Sequence, residues 1–268
     1  MKKATKKEIE ILKEAFVEKY SDAVTELNYK NDYELLIAII LSAQCTDKRV
    51  NIITPALFEK YPSVYELADA SLDDVKDLLK SCSFFNNKSK NIIKMAQSVI
   101  DNYDGEIPHI QKELMKLAGV GNKTANVFMI EFEGANLMAV DTHVFRVAHR
   151  LGLSDGKTVE ITEADLVKKL KGHDLHIFHQ AMVLFGRYIC KAVKPDCDNC
   201  LFPQVCKTKK SFKPGWFYVS RVLKKLYFNL QSSLYFLKTY SSSIFKTSTS
   251  FASQTNSLLS FFIMYKKS

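Results

Sequence analysis

No aspartate or glutamate occurs beyond position 206. Residues 207–268 carry 11 Lys and Arg, whereas residues 1–206 carry 27 basic against 29 acidic side chains, a net of −2. The formal charge of +9 for the 268 residues therefore belongs to the tail. That distribution excludes a body that attracts polyanions through a global positive field, and any nucleic-acid contact in it has to be a local patch or backbone donors. Also missing is any run of about 18 uninterrupted apolar residues, the length a membrane-spanning helix needs. The N-terminus MKKATKKEIE is basic but runs straight into an amphipathic pattern with no apolar core region, so no secretion signal is expected and a cytoplasmic chain is. Six cysteines without an export signal argue against a disulfide framework.

Alternating strand patterns bounded by turns are scarce, while helix start signals recur, so the body reads as almost all helix. Ile9, Leu12, Phe16 and Tyr20 line one face of a first helix. Asp32 is expected to cap a second, whose run Leu35–Leu41 is apolar nearly all round and so buried. Thr46 opens a third, with Pro55 set to kink or split it. Ser71 and Asp74 resemble a capping box for a helix through Leu79. Helices are further expected over Lys90–Tyr103, Gln111–Leu117 and Lys123–Glu131, with Asp141, Thr162 and Asp174 as later helix heads. Beyond about Lys213 the chain turns rich in Ser, Phe, Tyr and Lys without a sustained period, and reads as a poorly specified appendage of the kind a shifted reading frame produces. Its aromatics set it apart from typical disordered linkers.

Two stretches carry chemistry. Cys190, Cys197, Cys200 and Cys206 place four soft thiolates in one loop, a density suited to Zn²⁺ or an iron–sulfur cluster. Structural zinc sites usually show two close pairs, and only Cys197 and Cys200 form one here, which favours iron–sulfur. Cys45 and Cys82 lie among apolar neighbours and read as core thiols.

The second stretch is Leu117–Arg150. Gly119 and Gly121 permit φ > 0, so a tight turn can present its N–H groups, with Val120, to a phosphate at a helix start. Lys123 falls in the first turn of that helix, where the positive end of the helix dipole opposes its protonation and favours an amine nucleophile. Taken alone, these residues fit equally an ordinary helical joint, a solvated lysine and an Asp141 that caps its helix.

The glycine hairpin, Lys123, Asp141 and the four cysteines follow one another in an order that resembles the endonuclease III family of helix-hairpin-helix DNA glycosylases and abasic-site lyases. The motifs are ILSAQCTDKRVN (40–51), GVGNKTAN (119–126), AVDTHVFRVAHR (139–150) and the cysteine loop, and the resemblance runs from about Asn28 to Cys206. It implies an all-α fold of two domains, a six-helix domain (25–134) and an iron–sulfur domain made of 1–24 and 135–213, with 214–268 outside the family pattern. It implies base-excision repair of oxidised pyrimidines, with Lys123 attacking the sugar, Asp141 assisting and the four cysteines holding a [4Fe–4S] cluster. Gln44 matches the glutamine that fills the space left by an extruded base.

Double-stranded DNA with damaged bases or abasic sites is then the partner of an expected monomer, with no membrane involved. Gly119, Val120 and Gly121 would grip a phosphate, and Lys191 and Lys194 would face the backbone. Phe84 or Phe85 is expected to wedge the opposite strand. Two departures stand out: Ala118 where the family commonly has proline, and Ser83 where a glycine is common. Two other readings remain at this point. An adenine-specific mismatch glycosylase shares the hairpin, aspartate and cysteine loop but lacks the lysine, and a helix-hairpin-helix DNA-binding module would have no catalysis.

Overall fold

A computed structural model describes residues 3–208, and among them eleven α-helices and no strand are found. The expectations for the tail beyond 208 lie outside the described residues. In chain order the helices are α1 (Lys6–Tyr20), α2 (Asp32–Ser42), α3 (Asp47–Lys60), α4 (Val64–Ala68), α5 (Leu72–Leu79) and α6 (Phe85–Tyr103), followed by α7 (Gln111–Leu114), α8 (Asn122–Glu133), α9 (Thr142–Arg150), α10 (Val159–Lys169) and α11 (Leu175–Tyr188).

Two hydrophobic cores organise them. One gathers side chains from Leu27 to Phe128, and so holds α2 to α7 and the inner face of α8. Its axis is α2, in which every residue from Leu35 to Leu41 is buried. Each of its buried Leu and Ile side chains stabilises the fold by roughly 1.5–3 kcal/mol relative to exposure, which makes this helix the largest single contributor to that core. The other core joins the two ends of the described chain, with Ile9, Leu12 and Phe16 of α1 packed among residues of α9, α10 and α11 and against Phe202 and Val205. Phe16 is its centre, with ring centroids 4.7 Å from Phe202 and 5.7 Å from Phe185. α1 starts on a full capping box: the Thr5 side chain accepts from Glu8 N, and the Glu8 carboxylate accepts from Thr5 N at 2.7 Å. The same Glu8 pairs with Lys207 at 2.6 Å, fastening the start of α1 to the end of the cysteine loop.

Several sequence expectations need correction. α2 is capped by Asn31, whose side chain accepts from Glu34 N, and Asp32 is already inside the helix. α3 runs through Pro55 without splitting. Ser71 caps α5 without any side-chain hydrogen bond, so no capping box forms there. Thr162 is interior to α10, and Thr158 heads that helix instead. α6 begins five residues before the expected Lys90, because Phe84 turns the chain in a left-handed conformation (φ 57°) that no side-chain cap announces. α7 stops at Leu114, short of Leu117.

Candidate active site

The hairpin between α7 and α8 is closed by its own backbone: Leu117 N–H donates to Leu114 O at 3.0 Å and Val120 N–H to Leu117 O at 3.1 Å. Gly119 sits at φ 84°, a conformation that favours glycine, and an added Cβ would come within a tight 3.1 Å of the Asn91 side chain on α6. Val120 is buried and its N–H donates within the turn, while Gly119 and Gly121 are the exposed members of the turn. Gly121 caps α8 without a side-chain bond, so the first-turn N–H groups point out of the helix start. Lys123, second in α8, is solvent-exposed on the wall of a cleft. The first turn of a helix that starts at a cleft mouth has nothing packed above it, which leaves this side chain open to solvent.

Asp141 heads α9 as predicted, accepting from Val144 N at 2.7 Å. The segment before it is pinned from two sides. Asn126 of α8, buried and bonded to the Gln111 side chain, donates to Met138 O at 3.4 Å. His179 of α11 meets Ala139 O through Nδ1 at 2.8 Å. Burial holds that imidazole down at about 4, against the pull of Asp141, so it stays neutral at physiological pH. α9 and α11 approach closely at Gly186, where a Cβ would lie 2.9 Å from His143 Cβ.

The cleft these elements surround has a volume of about 520 Å³. Lys123, Asp141, Gln44 and His179 all line it. Gln44 is exposed at the turn between α2 and α3 in a left-handed conformation (φ 55°), a costly state for a residue other than glycine. Phe84 shares that feature and is 63% exposed, whereas Phe85 packs against the middle core. Of the two wedge candidates only Phe84 stands free.

Sequence reading missed a charged group on the same wall. Arg187 of α11 pairs with Asp47 at 2.7 Å and with Glu26, which also accepts from the Tyr188 hydroxyl. Burial works against the Arg187 charge, but Asp47 and Glu26 together hold its proton more tightly than usual. Glu131 was missed too: half-buried at the far end of the α8 stripe that begins with Lys123, it accepts from Thr25 N at 3.2 Å while its other oxygen is buried without a partner. Desolvation raises it to about 7. Residues so far apart in the chain leave no local signal.

All four loop cysteines are half-buried and line one cavity of about 290 Å³. Arg150 of α9 organises the loop, donating to Lys191 O at 2.7 Å, to Ala192 O at 3.2 Å and to Cys190 Sγ at 3.4 Å. Burial pushes the Cys200 thiol up to about 11 and raises Cys197, with the neighbouring thiols adding to both. Four thiols around one cavity form a donor set suited to a soft metal ion or an iron–sulfur group. Lys191 and Lys194 are exposed on this loop, Lys194 at φ 50°.

A family model described as the HhH-GPD superfamily of base excision DNA repair proteins matches residues 37–171. The endonuclease III of Rickettsia felis is 48% identical over 183 residues, which cover 68% of this chain and 86% of that protein. That of Bacillus subtilis is 40% identical over 202 residues, covering 75% and 92%. Among solved structures, a trapped covalent intermediate of an endonuclease III with DNA matches with a TM-score of 0.73 at 41% identity, over 76% of this chain and 96% of that one. A non-covalent endonuclease III–DNA complex matches with a TM-score of 0.72 at 41% identity, over 76% and 95%.

Proposed function

The chain belongs to the endonuclease III family within the HhH-GPD superfamily of base excision DNA repair proteins, and on that premise we propose that Lys123 is the nucleophile of a bifunctional DNA glycosylase and abasic-site lyase. The observation that carries this reading is the convergence of Lys123 and Asp141, each at the start of its own helix, on one cleft that Gln44 also lines.

The neutral Lys123 amine attacks C1′ of the damaged nucleotide, and the base departs with the bonding electron pair and a proton. The C1′–N adduct opens to a Schiff base. Loss of a C2′ proton then drives β-elimination, which expels the 3′ phosphate and cuts the strand. A duplex laid over the cleft would exclude water from around the reacting Lys123 amine. Asp141, fixed by its cap to Val144, stabilises the positive charge that grows on the sugar and receives or steers protons. The neutral His179 beside it adds no competing charge.

The exposed N–H groups of Gly119 and Gly121 would hold a phosphate, with Val120 packing the turn beneath them. Lys191 and Lys194 would contact the backbone further along the duplex. Gln44 would enter the gap left by the extruded base and Phe84 would fill the opposite stack. Cys190, Cys197, Cys200 and Cys206 would hold a [4Fe–4S] cluster. Bound there, its iron–thiolate bonds supply the cross-links of a loop with no helix of its own. The reading includes a six-helix domain over 25–134, a second domain of 1–24 with 135–213, and a cytoplasmic monomer acting on oxidised pyrimidines.

Single-turnover assays test this on duplexes carrying thymine glycol, uracil, an oxidised guanine or a bare abasic site. Excision and strand cleavage at thymine glycol, with nicking of the abasic site, are expected. Release of uracil or oxidised guanine in preference, or base release without any nicking, would contradict it.

A further inference from the structure

Two thiols outside the cysteine loop meet beside the cleft. Cys45 follows Gln44 in the turn between α2 and α3, where its N–H donates to Ser42 O at 3.0 Å. Cys82 lies two residues before Phe84 and is 3% exposed. Cys45 packs against the same core that encloses Cys82, and its thiol is close enough to raise that of Cys82. Lys88 of α6 fastens the meeting point, its Nζ donating to Leu41 O at 2.8 Å, Ala43 O at 2.7 Å and Cys82 Sγ at 3.3 Å. The Cys82 thiol in turn donates to Leu41 O at 3.5 Å. Neither cysteine is in a disulfide.

Their surroundings separate their roles. Cys45 is half-buried and lines the cleft, within reach of a small oxidant from solvent. Cys82 is enclosed, and burial pushes its thiol up, which makes it a poor first target. We propose that Cys45 and Cys82 form a reversible redox-modification site, oxidised by a hydroperoxide to a disulfide that ties the Gln44 turn to the Phe84 turn and weakens the grip on DNA. In the first step the Cys45 sulfur attacks the O–O bond, takes one oxygen as a sulfenic acid and releases water or an alcohol. In the second the Cys82 sulfur displaces the hydroxyl from the Cys45 sulfur, the S–S bond forms and water leaves. Two electrons pass from the thiol pair to the peroxide, and thiol exchange with a reductant reverses the bridge. The Lys88 ammonium against Cys82 favours the thiolate needed in the second step.

The consequence for DNA follows from what the two turns carry. Gln44 and Phe84 are each exposed in a left-handed conformation, one residue before Cys45 and two after Cys82. A disulfide holds its Cα atoms roughly 4.4–6.8 Å apart, so it removes the freedom of both turns to adjust to a distorted duplex. This half rests on the proposed function, while the cross-link itself does not.

The test takes the full-length protein through stepwise hydrogen peroxide at doses that leave its iron content unchanged, then alkylates and digests with trypsin. Peptides 31–48 and 81–88 joined by a reducible bond are expected. Affinity for a duplex with a stable abasic-site analogue should fall several-fold and return with a thiol reductant. Cys82→Ser should bind like the reduced parent and lose nothing on peroxide treatment. Absence of the joined peptide while Cys45 becomes oxidised overturns the site. A joined peptide without a change in affinity, or an equal loss in Cys82→Ser, overturns the control of DNA binding. Reduced parent protein that fails to bind the abasic duplex contradicts the proposed function and leaves the cross-link result standing.

Discussion

The cleft at Lys123 is framed by helix starts, whereas the cavity at Cys200 is framed by a segment that holds no helix between Cys190 and Thr208. Caps fix the first: Thr46 for α3, Gly121 for α8 and Asp141 for α9, each backed by one of the two cores. The second hangs on a few anchors, namely Phe202 and Val205 in the core, the Arg150 fork, and the Lys207–Glu8 pair. A site walled by helices keeps its shape when nothing is bound. On the proposed reading, a loop with so few anchors would take the rest of its rigidity from the cluster its four cysteines would hold. The lesson is that the two sites fail differently: the first loses chemistry without losing structure, and the second loses structure first.

Replacing Lys123 by alanine gives the largest expected effect, loss of strand cleavage to background in a nicking assay. The melting transition should move by less than about 0.5 kcal/mol, since the side chain is exposed. Asp141→Asn keeps the α9 cap, because asparagine caps as well as aspartate, yet should slow base release by roughly 10²–10⁴-fold in single-turnover kinetics. Cys200→Ser breaks the comparison from the other side. Iron should be lost and limited proteolysis should cut within 190–208, while the helical circular dichroism of the core is retained.

Glu131→Gln sharpens the account of the cleft's far end. The folded protein holds this carboxyl at about 7 against an ordinary 4.5, so it binds the proton more tightly when folded. Its favourable contribution is full below about pH 4.5 and is lost as pH rises through 7. The glutamine variant should therefore match the parent at pH 4 and exceed it at pH 8 by on the order of 1–3 kcal/mol in denaturant unfolding. Smallest in stability is Phe84→Ala, expected within about 0.5 kcal/mol of the parent because the ring is exposed, with weaker binding to lesion duplex as its measurable effect.

Features that depend on neighbours in sequence were legible beforehand. The buried run of α2, the Asp141 cap and the four-cysteine loop follow from periodicity, cap chemistry and donor spacing. Lys123 and Asp141 could be named as partners only through the family resemblance, because the link between their helices is made by Asn126 and His179 reaching the backbone at 138–139. The Arg187–Asp47–Glu26 group and the Cys45–Cys82 contact were not legible, since each side chain is ordinary where it stands and is given its meaning by the packing of distant helices. Ser71, Thr162 and the start of α6 misled for a related reason. Capping chemistry permits a helix start, and tertiary packing decides whether it is used there.

The most direct test of Lys123 as nucleophile is borohydride reduction during turnover on a thymine glycol duplex, followed by trypsin and mass mapping of the protein–DNA adduct. The sugar remnant is predicted on peptide 117–146, left uncut at Lys123, and absent from Lys123→Ala. A remnant on any other amine, or trapping that persists in the alanine variant, would contradict the assignment.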